Sequence, residues 1–203
     1  MARLTGKNGK IQAEATRTTI SVAVTLTNAG DNLTYTYTGF PLWDPSKVPV
    51  ITKNAVVVDP SLYTVNFISG SITFAVANLV TDVIKANVFD YVTVADVADI
   101  FDWTVDAKVD VVDVTAFQDQ FHQKLSAFRG WTGTAKAYHR SDFWFPLFNA
   151  AKPVYVKLYP DAAAVEYFVG AGFVSFAEKA PYAGAVEDDV AIEGTGALER
   201  RTS

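Results

Sequence analysis

Alternation of apolar and polar residues, repeated along most of this chain, is the feature that most limits its fold. The alternation is clearest over residues 173–198, where two such stretches flank a turn that contains Pro181 and Gly184. A period of two residues is typical of a half-buried β-strand, and a Pro/Gly turn between two strands predicts a hairpin. Gly194-Thr-Gly196 is expected to mark the exit from the second strand. The sequence therefore predicts a mainly-β protein.

Residues 63–76 predict a second hairpin, with a two-residue loop at Ser69-Gly70. In that register Phe67 lies opposite Ile72, and the next two pairs on the same face are also apolar. A continuous apolar face of this kind fixes the register of a hairpin. A third alternating stretch covers residues 103–111, and its apolar face shifts by one residue at Val111-Val112. This shift predicts a bulge or the end of the strand.

One helix is predicted, over about residues 116–129. Thr115 and Gln118 have the spacing of a capping box, and Gly130 is expected to end the helix. Apolar residues then recur at spacings of four, four and three, which gives one apolar stripe along a helix. Because a short helix cannot bury such a stripe alone, it is expected to pack on the flank of the sheet. The candidate core anchors of this helix are Phe117, Phe121, Leu125 and Phe128.

The chain shows no linker and no internal repeat, so residues 1–203 are expected to form a single domain. Three prolines between residues 39 and 49 break the strand pattern. Residues 40–87 are therefore predicted to be a long loop and hairpin excursion within that domain. Gly170-Ala-Gly172 is interpreted as a tight turn, since a strand rather than the helix of a dinucleotide site follows it.

Composition excludes several classes of protein. The formal net charge of −5 argues against a protein that grips nucleic acid, because phosphate binding needs a basic face. The chain has no cysteine, so it can form no disulfide, thiolate metal site or cysteine nucleophile. Residues 1–10 lack the apolar run of a signal peptide, and no stretch approaches the roughly 20 apolar residues of a membrane helix. A soluble protein made in a cytoplasm, without membrane contact, is expected.

No arrangement of residues points to catalysis or to a cofactor. His122 and His139 are the two histidines, and neither has a recognisable acid–base partner in the sequence. There is no Gly-x-Ser-x-Gly elbow, and the acidic clusters at residues 96–102 and 187–189 lack the spacing of a calcium loop. The sequence therefore predicts no enzyme, no catalytic residue, no cofactor-binding residue and no metal ligand.

Several motifs, taken in order, resemble the bacteriophage major tail tube proteins of long-tailed phages. They are the strand at residues 101–107, the segment at residues 113–119, the Trp-Thr-Gly strand at residues 130–138, and the final hairpin with its Gly-Thr-Gly-Ala-Leu ending at residues 194–198. The resemblance implies a tail-tube-type β-sandwich or barrel with one flanking helix. It also implies hexameric rings of a structural protein that self-assemble and stack into a hollow conduit for DNA ejection.

The resemblance further implies partners and a location. Beside copies of itself, the protein would contact the tape-measure and tail-end proteins of the phage. DNA would pass through the lumen without specific binding. The protein would be assembled in the host cytoplasm and would reside in the tail of the virion.

By alternation, three carboxylates of the last strand lie on one side of it, and they are the candidate lumen face: Glu187, Asp189 and Glu193. A negative wall would repel DNA, which carries about one charge per 1.7 Å of its axis. Asp188 would point to the opposite, apolar side, where a carboxylate is costly. Three alternatives stay open, namely a secretion-system inner-tube protein, a monomeric β-barrel that binds a ligand, and a hydrolase.

Overall fold

The structure, a computed structural model, describes residues 4–5, 9–39, 42–113, 124–139, 143–161, 165–180 and 184–202. The described residues are mainly strands in antiparallel sheets, with one short α-helix, which confirms the predicted fold class. The helix, α1, covers Trp144–Asn149 and packs against the strand Glu166–Lys179. Among these residues, no helix has the length and apolar character needed to cross a membrane.

The strands of the described residues are numbered in chain order. They are β1 (Leu4–Thr5), β2 (Lys10–Ile20), β3 (Val24–Thr25), β4 (Thr27–Asn28), β5 (Thr34–Thr36), β6 (Val50–Lys53), β7 (Val56–Val57), β8 (Tyr63–Asn66), β9 (Ser71–Phe74), β10 (Ile84–Asn87), β11 (Phe89–Asp96), β12 (Ile100–Asp113), β13 (Lys124–Tyr138), β14 (Val154–Tyr159), β15 (Glu166–Lys179) and β16 (Glu187–Thr202). A 3-10 turn, Pro60–Leu62, precedes β8.

The chain divides into two compact units. Unit 1 comprises residues 1–13 and 95–203, and unit 2 comprises residues 14–94. Unit 1 contains most of an eight-stranded sheet with the order β1-β12-β13-β16-β15-β14-β2-β11. Strands β2 and β11 are neighbours in that sheet and both continue into unit 2. The predicted excursion at residues 40–87 lies within unit 2, and the single-domain organisation stays a prediction.

The C-terminal hairpin predicted over residues 173–198 is confirmed as β15 and β16, which pair from Lys179↔Glu187 onward. Two details of the prediction are wrong. Gly170-Ala-Gly172 is part of β15 rather than a tight turn, and Gly194-Thr-Gly196 lies inside β16 rather than at its exit. The register of the two strands shifts between Gly170 and Ala171, so that β16 has a bulge there. Gly196, in this bulge, has a φ of +78°, a conformation that glycine adopts at little cost.

Close packing explains two of these glycines. A Cβ on Gly194 would lie 2.2 Å from the Trp131 ring, and a Cβ on Gly170 would lie 2.7 Å from the same ring. The indole of Trp131 therefore rests directly on the backbones of β15 and β16. Glycine here makes room for a large side chain, which a turn-based interpretation of the sequence misses.

The core of unit 1 lies on the inner face of its sheet. Trp103 of β12 is 1% exposed and lies against Gly9, which precedes β2, although β12 and β2 are far apart in the strand order. The sheet is therefore curved around a shared interior. The buried residues of this core are Ile11, Ala13, Val97, Trp103, Val105, Trp131, Ala135, Trp144, Val154, Val156, Leu158, Val174, Val190 and Ile192.

Strands β12 and β13 form a long hairpin whose outer part extends beyond the rest of the sheet. β16 pairs with β13 only from Thr132 to Tyr138, and β1 pairs with β12 only at Thr104 and Val105. Residues 107–113 and 124–131, named here the arm, therefore pair only with each other among the described residues. A shift in register between Val109 and Val111 confirms the bulge predicted near residue 111.

The predicted helix at about 116–129 is wrong over residues 124–129, which belong to β13. Leu125 pairs with Val112 of β12, so it lies on a strand and is not a helix anchor, and Phe128 lies on the same strand. Phe117 and Phe121 lie outside the described residues. The backbone hydrogen bonds of a continuing β-ladder outweigh an apolar spacing of four, four and three, because short apolar runs fit either period.

Unit 2 has its own core and two four-stranded sheets, β3-β10-β6-β7 and β4-β5-β9-β8. The hairpin predicted over residues 63–76 is present as β8 and β9, but its register is wrong by two residues. Val65, rather than Phe67, lies opposite Ile72, and the loop covers residues 67–70. Asn66 explains the longer loop, because its side chain accepts hydrogen bonds from the backbone N–H groups of Ile68 and Ser69 at 3.0 and 3.1 Å.

A buried ion network lies within unit 2. The guanidinium of Arg17 donates to the Asp44 carboxylate and forms a bidentate pair with Glu14 at 2.9 Å. The Asp44 side chain is only 3% exposed, and that of Arg17 is 17% exposed. Burial acts to lower the pKa of Arg17, but the hydrogen bonds and charges of Glu14 and Asp44 outweigh burial and raise it. The network joins β2 to the loop that contains Trp43 and Asp44.

Candidate functional site: a polar sheet face

The outer face of four neighbouring strands is the strongest candidate site. β12, β13, β16 and β15 lie side by side in that order, and their registers align side chains in four rows. This polar face consists of Asp102, Thr104 and Asp106 of β12, Thr132, Thr134, Lys136 and Tyr138 of β13, Glu187, Asp189, Ala191 and Glu193 of β16, and Phe173, Ser175, Ala177 and Lys179 of β15.

The three predicted lumen carboxylates all lie on this face. Burial alternates along the first half of β16, with Asp188, Val190 and Ile192 buried and Glu187, Asp189 and Glu193 partly or fully exposed. The structure therefore brings the three predicted residues together on one side of the sheet. Whether that side lines a channel stays a prediction.

The centre of the polar face is a shallow groove of about 550 Å³. Asp102 of β12, Lys136 of β13 and Asp189 of β16 lie in one row across it, so that a lysine separates two carboxylates. The hydroxyl groups of Thr104 and Thr134 lie 2.8 Å apart in the next row. The groove thus presents hydroxyl and charged groups on a sheet whose opposite side is apolar.

Carboxylates outnumber lysines on the polar face by five to two. The acids are Asp102, Asp106, Glu187, Asp189 and Glu193, and the bases are Lys136 and Lys179. Lys179 donates to Asp189, which lowers the pKa of that carboxyl and raises the pKa of the lysine. Since only one of the five acids forms an ion pair among the described residues, the face carries a net negative charge.

Asp188, which the sequence places awkwardly on the apolar side, has a partner that the sequence did not reveal. Its side chain is 5% exposed and lies 3.1 Å from Nδ1 of His139, which is 31% exposed. His139 follows β13, and its backbone N–H donates to the carbonyl of Val186 at 2.9 Å, just before β16. The imidazole therefore satisfies a carboxylate that would otherwise be buried without compensation.

Removing that imidazole is expected to destabilise the fold. His139→Ala leaves the Asp188 carboxylate buried without its ring partner, and the expected loss in free energy of unfolding is about 2 kcal/mol. Chemical denaturation followed by circular dichroism measures this loss. Asp188→Asn in the His139→Ala background should recover part of it, because the amide is uncharged. An unchanged unfolding midpoint in His139→Ala would contradict the assigned pairing.

The described residues contain no group of three or more His, Cys, Asp or Glu side chains that could hold a metal ion. Two features of the face escaped the sequence analysis. Lys136 and Lys179 reduce its negative charge. The pairing of Lys179 with β16 could have been found by counting residues back from the turn that the sequence predicts around Pro181 and Gly184. The arm was hidden because its second strand carries the spacing of a helix.

Comparison with known proteins adds little. No protein-family model matches the chain. No curated protein matches it either. Among solved structures, a chain from the virion of a native gene transfer agent particle is similar over 54% of this chain and 89% of its own length, with a TM-score of 0.47 and 15% sequence identity. A likeness of this size identifies neither a family nor a function for the chain.

Proposed function

We propose that this protein is the structural subunit of a phage tail tube, in which six copies form a ring and stacked rings enclose a conduit for DNA. The observation that carries the proposal is the polar face, a four-stranded surface with five carboxylates and two lysines. The order of the sequence motifs, which resembles that of tail tube proteins, supports the same assignment. In the proposed tube this face lines the lumen.

An excess of carboxylates suits a wall along which DNA slides. DNA binding draws its strength mainly from lysine and arginine contacts with phosphates. A face with net negative charge offers few such contacts and repels the duplex, so DNA passes without specific binding. This role requires neither a nucleophile nor a cofactor, and we propose that the protein is not an enzyme.

The arm supports self-assembly. A two-stranded ribbon is at best marginally stable in water, and unpaired strand edges invite pairing with another chain. Arm residues 107–110, 129 and 130 are exposed, and Val109 presents an apolar side chain that is 43% exposed. A neighbouring subunit that covers the arm would pair its free strand edges and bury Val109. Repetition of one such contact generates a ring or a filament.

The interior of unit 1 argues against the alternative of a ligand-carrying barrel. Trp103 and Trp131 are 1% and 3% exposed, and the Trp131 ring touches the backbone at Gly170 and Gly194. These large side chains fill the space in which a ligand of a small barrel would lie. A secretion-system inner-tube protein would share the ring and differ in what passes through it, and it remains the second candidate.

Electron microscopy of the purified protein tests the proposal. The expected result is hollow rings with six-fold symmetry, or tubes of stacked rings, which in a phage would join the tape-measure and tail-end proteins in the virion tail. A protein that stays monomeric at high concentration, across a range of salt and pH, would exclude a tube subunit. The cargo distinguishes the two candidates, because a phage tube carries ejected DNA and a secretion tube carries secreted protein.

The lumen assignment predicts a change in DNA retention. Replacing Glu187, Asp189 and Glu193 together with lysine is expected to make assembled tubes retain DNA, with an affinity that falls steeply as salt rises. Co-sedimentation of tubes with labelled DNA at 50 and 200 mM salt (roughly the range over which phosphate contacts are lost) measures this effect. The control is Glu166→Lys with Glu178→Lys, which raises the charge off this face. Equal DNA binding by both variants would remove these side chains from the channel.

A further inference from the structure

A second charged surface lies elsewhere on the outer side of the unit 1 sheet, across β2, β14, β15 and β16. Tyr159 and Tyr167 stack there with ring centroids 5.0 Å apart. The Lys10 ammonium lies 4.7 Å from the centroid of Tyr159, and the Lys157 ammonium lies 5.0 Å from that of Tyr167. Together with Arg201, which pairs with Tyr167 across the strands, these residues are named the basic–aromatic patch.

Lys157 differs from the other two cations of the patch. Lys10 lies 3.6 Å from Asp96, and Arg201 pairs with Glu199 at 2.6 Å. The structure gives Lys157 no carboxylate partner among the described residues, although its side chain is half-buried. Residues 6–8 and 162–164, which adjoin these strands in the chain, contain no Asp or Glu. Burial, then the charges of Arg201 and Lys10, lower the pKa of Lys157.

The patch is rigidly built despite this unfavourable charge. The Tyr159 hydroxyl donates to Gln12 at 3.2 Å, and the Gln12 amide donates to Asp96 at 2.7 Å. These two hydrogen bonds hold the ring of Tyr159, which is only 8% exposed. The Lys157 ammonium lies above an aromatic face and next to two more cations. Such a group of positive charges favours binding of an anion.

The chain itself carries matching anions. Asp106 lies on β12 at the base of the arm, and Asp110 lies four residues further along β12, within the arm. Both side chains are exposed. No hydrogen bond or ion pair joins either carboxylate to another described residue. Among the described residues, no further strand pairs with either edge of the arm. Within the described part of the chain, a cation without a carboxylate partner thus lies on one surface, and carboxylates without a cation lie on a different one.

We infer that the basic–aromatic patch of one copy receives the arm of a second copy, with Asp106 and Asp110 as the carboxylates that approach Lys157. Because two different surfaces of the same chain meet, the contact is heterologous and repeats from copy to copy, as a closed ring requires. The inference rests on the proposed self-assembly and supplies its contact residues. Asp106, at the edge of the polar face, then lies in the contact between subunits, and the rest of the polar face lies along the channel.

Lys157→Met tests the inference, because a receptor role and a structural role predict opposite effects on the unassembled subunit. Removing a half-buried charge that two other cations repel should leave the thermal midpoint of the subunit unchanged or higher. The concentration needed for assembly, measured by analytical ultracentrifugation, should rise about tenfold or more. Lys152→Met, at an exposed lysine outside the patch, is the control and should assemble like the wild type.

Charge reversal provides a second, independent test. Lys157→Glu and Asp110→Lys should each impair assembly, and the two changes combined in one chain should restore it, since each reversed surface then meets its complement. Assembly of Lys157→Met at the wild-type concentration, or failure of the combined variant to recover, would overturn the inference. Hollow wild-type rings with either result would leave the tube proposal intact. Lys157-dependent assembly without hollow rings would overturn the tube proposal alone.

Discussion

Arg17→Ala is expected to lower the free energy of unfolding by about 3–5 kcal/mol, because it leaves Asp44 buried and unpaired. Asp44 is 2% exposed, and it also accepts a hydrogen bond from the backbone N–H of Ser46 at 2.8 Å. Without the guanidinium, the carboxylate must be protonated or exposed, and either change disturbs the loop next to Trp43. Denaturation followed by tryptophan emission and circular dichroism measures the loss.

An exposed ion pair gives the matched control for that variant. Arg200 pairs with Glu166, but the two side chains are 65% and 51% exposed. Arg200→Ala should therefore change the free energy of unfolding by less than about 1 kcal/mol. If Arg17→Ala cost no more than Arg200→Ala, the Asp44 network would not hold unit 2 together.

Gly194→Ala is expected to have a comparably large effect, of about 3 kcal/mol or more. The new methyl group would start 2.2 Å from the Trp131 ring, which is itself packed in the core and cannot move away without displacing its neighbours. Thermal or chemical denaturation measures the loss, and near-ultraviolet circular dichroism reports the displacement of the indole.

Gly130 provides the control for Gly194→Ala. It lies on β13, and a Cβ there would meet no atom within 4 Å. Gly130→Ala should be neutral or stabilising by up to about 1 kcal/mol, because alanine restricts the unfolded chain. Equal destabilisation by the two substitutions would mean that the Trp131 contact does not determine the need for glycine at residue 194.

The predictions from the sequence succeeded where one physical signal dominated. Alternation along residues 187–193 has no competing period, so it correctly separated Asp189 from Asp188 and grouped the three candidate carboxylates. The β8–β9 hairpin was found for the same reason. The register of this hairpin was not predicted correctly. A longer turn held by the Asn66 side chain competes with a two-residue loop, and the apolar face of the strands is compatible with both.

The failures share another cause. Leu125 and Phe128 fit an amphipathic helix, but ladder partners on β12, distant in sequence, determine their conformation. Glycines at residues 170 and 194 suggest turns unless the indole that rests on them is known. The pairing of His139 with Asp188, and the isolation of Lys157, depend on strand order, which one sequence does not specify. The part of the candidate site within one strand was therefore predictable, and the part shared between strands was not.

The way in which unit 2 is inserted has a consequence for folding. Its chain enters through β2 and leaves through β11, and these strands are already neighbours at Thr16 and Thr93, whose hydroxyls lie 2.6 Å apart across 77 residues. Closing an unfolded loop of that length costs about 4 kcal/mol of chain entropy. Once unit 2 has folded, its ends are held together and that cost is removed. We therefore expect the β2–β11 pair of the large sheet to form readily once unit 2 has folded, because its two strands then start as close together as those of a hairpin.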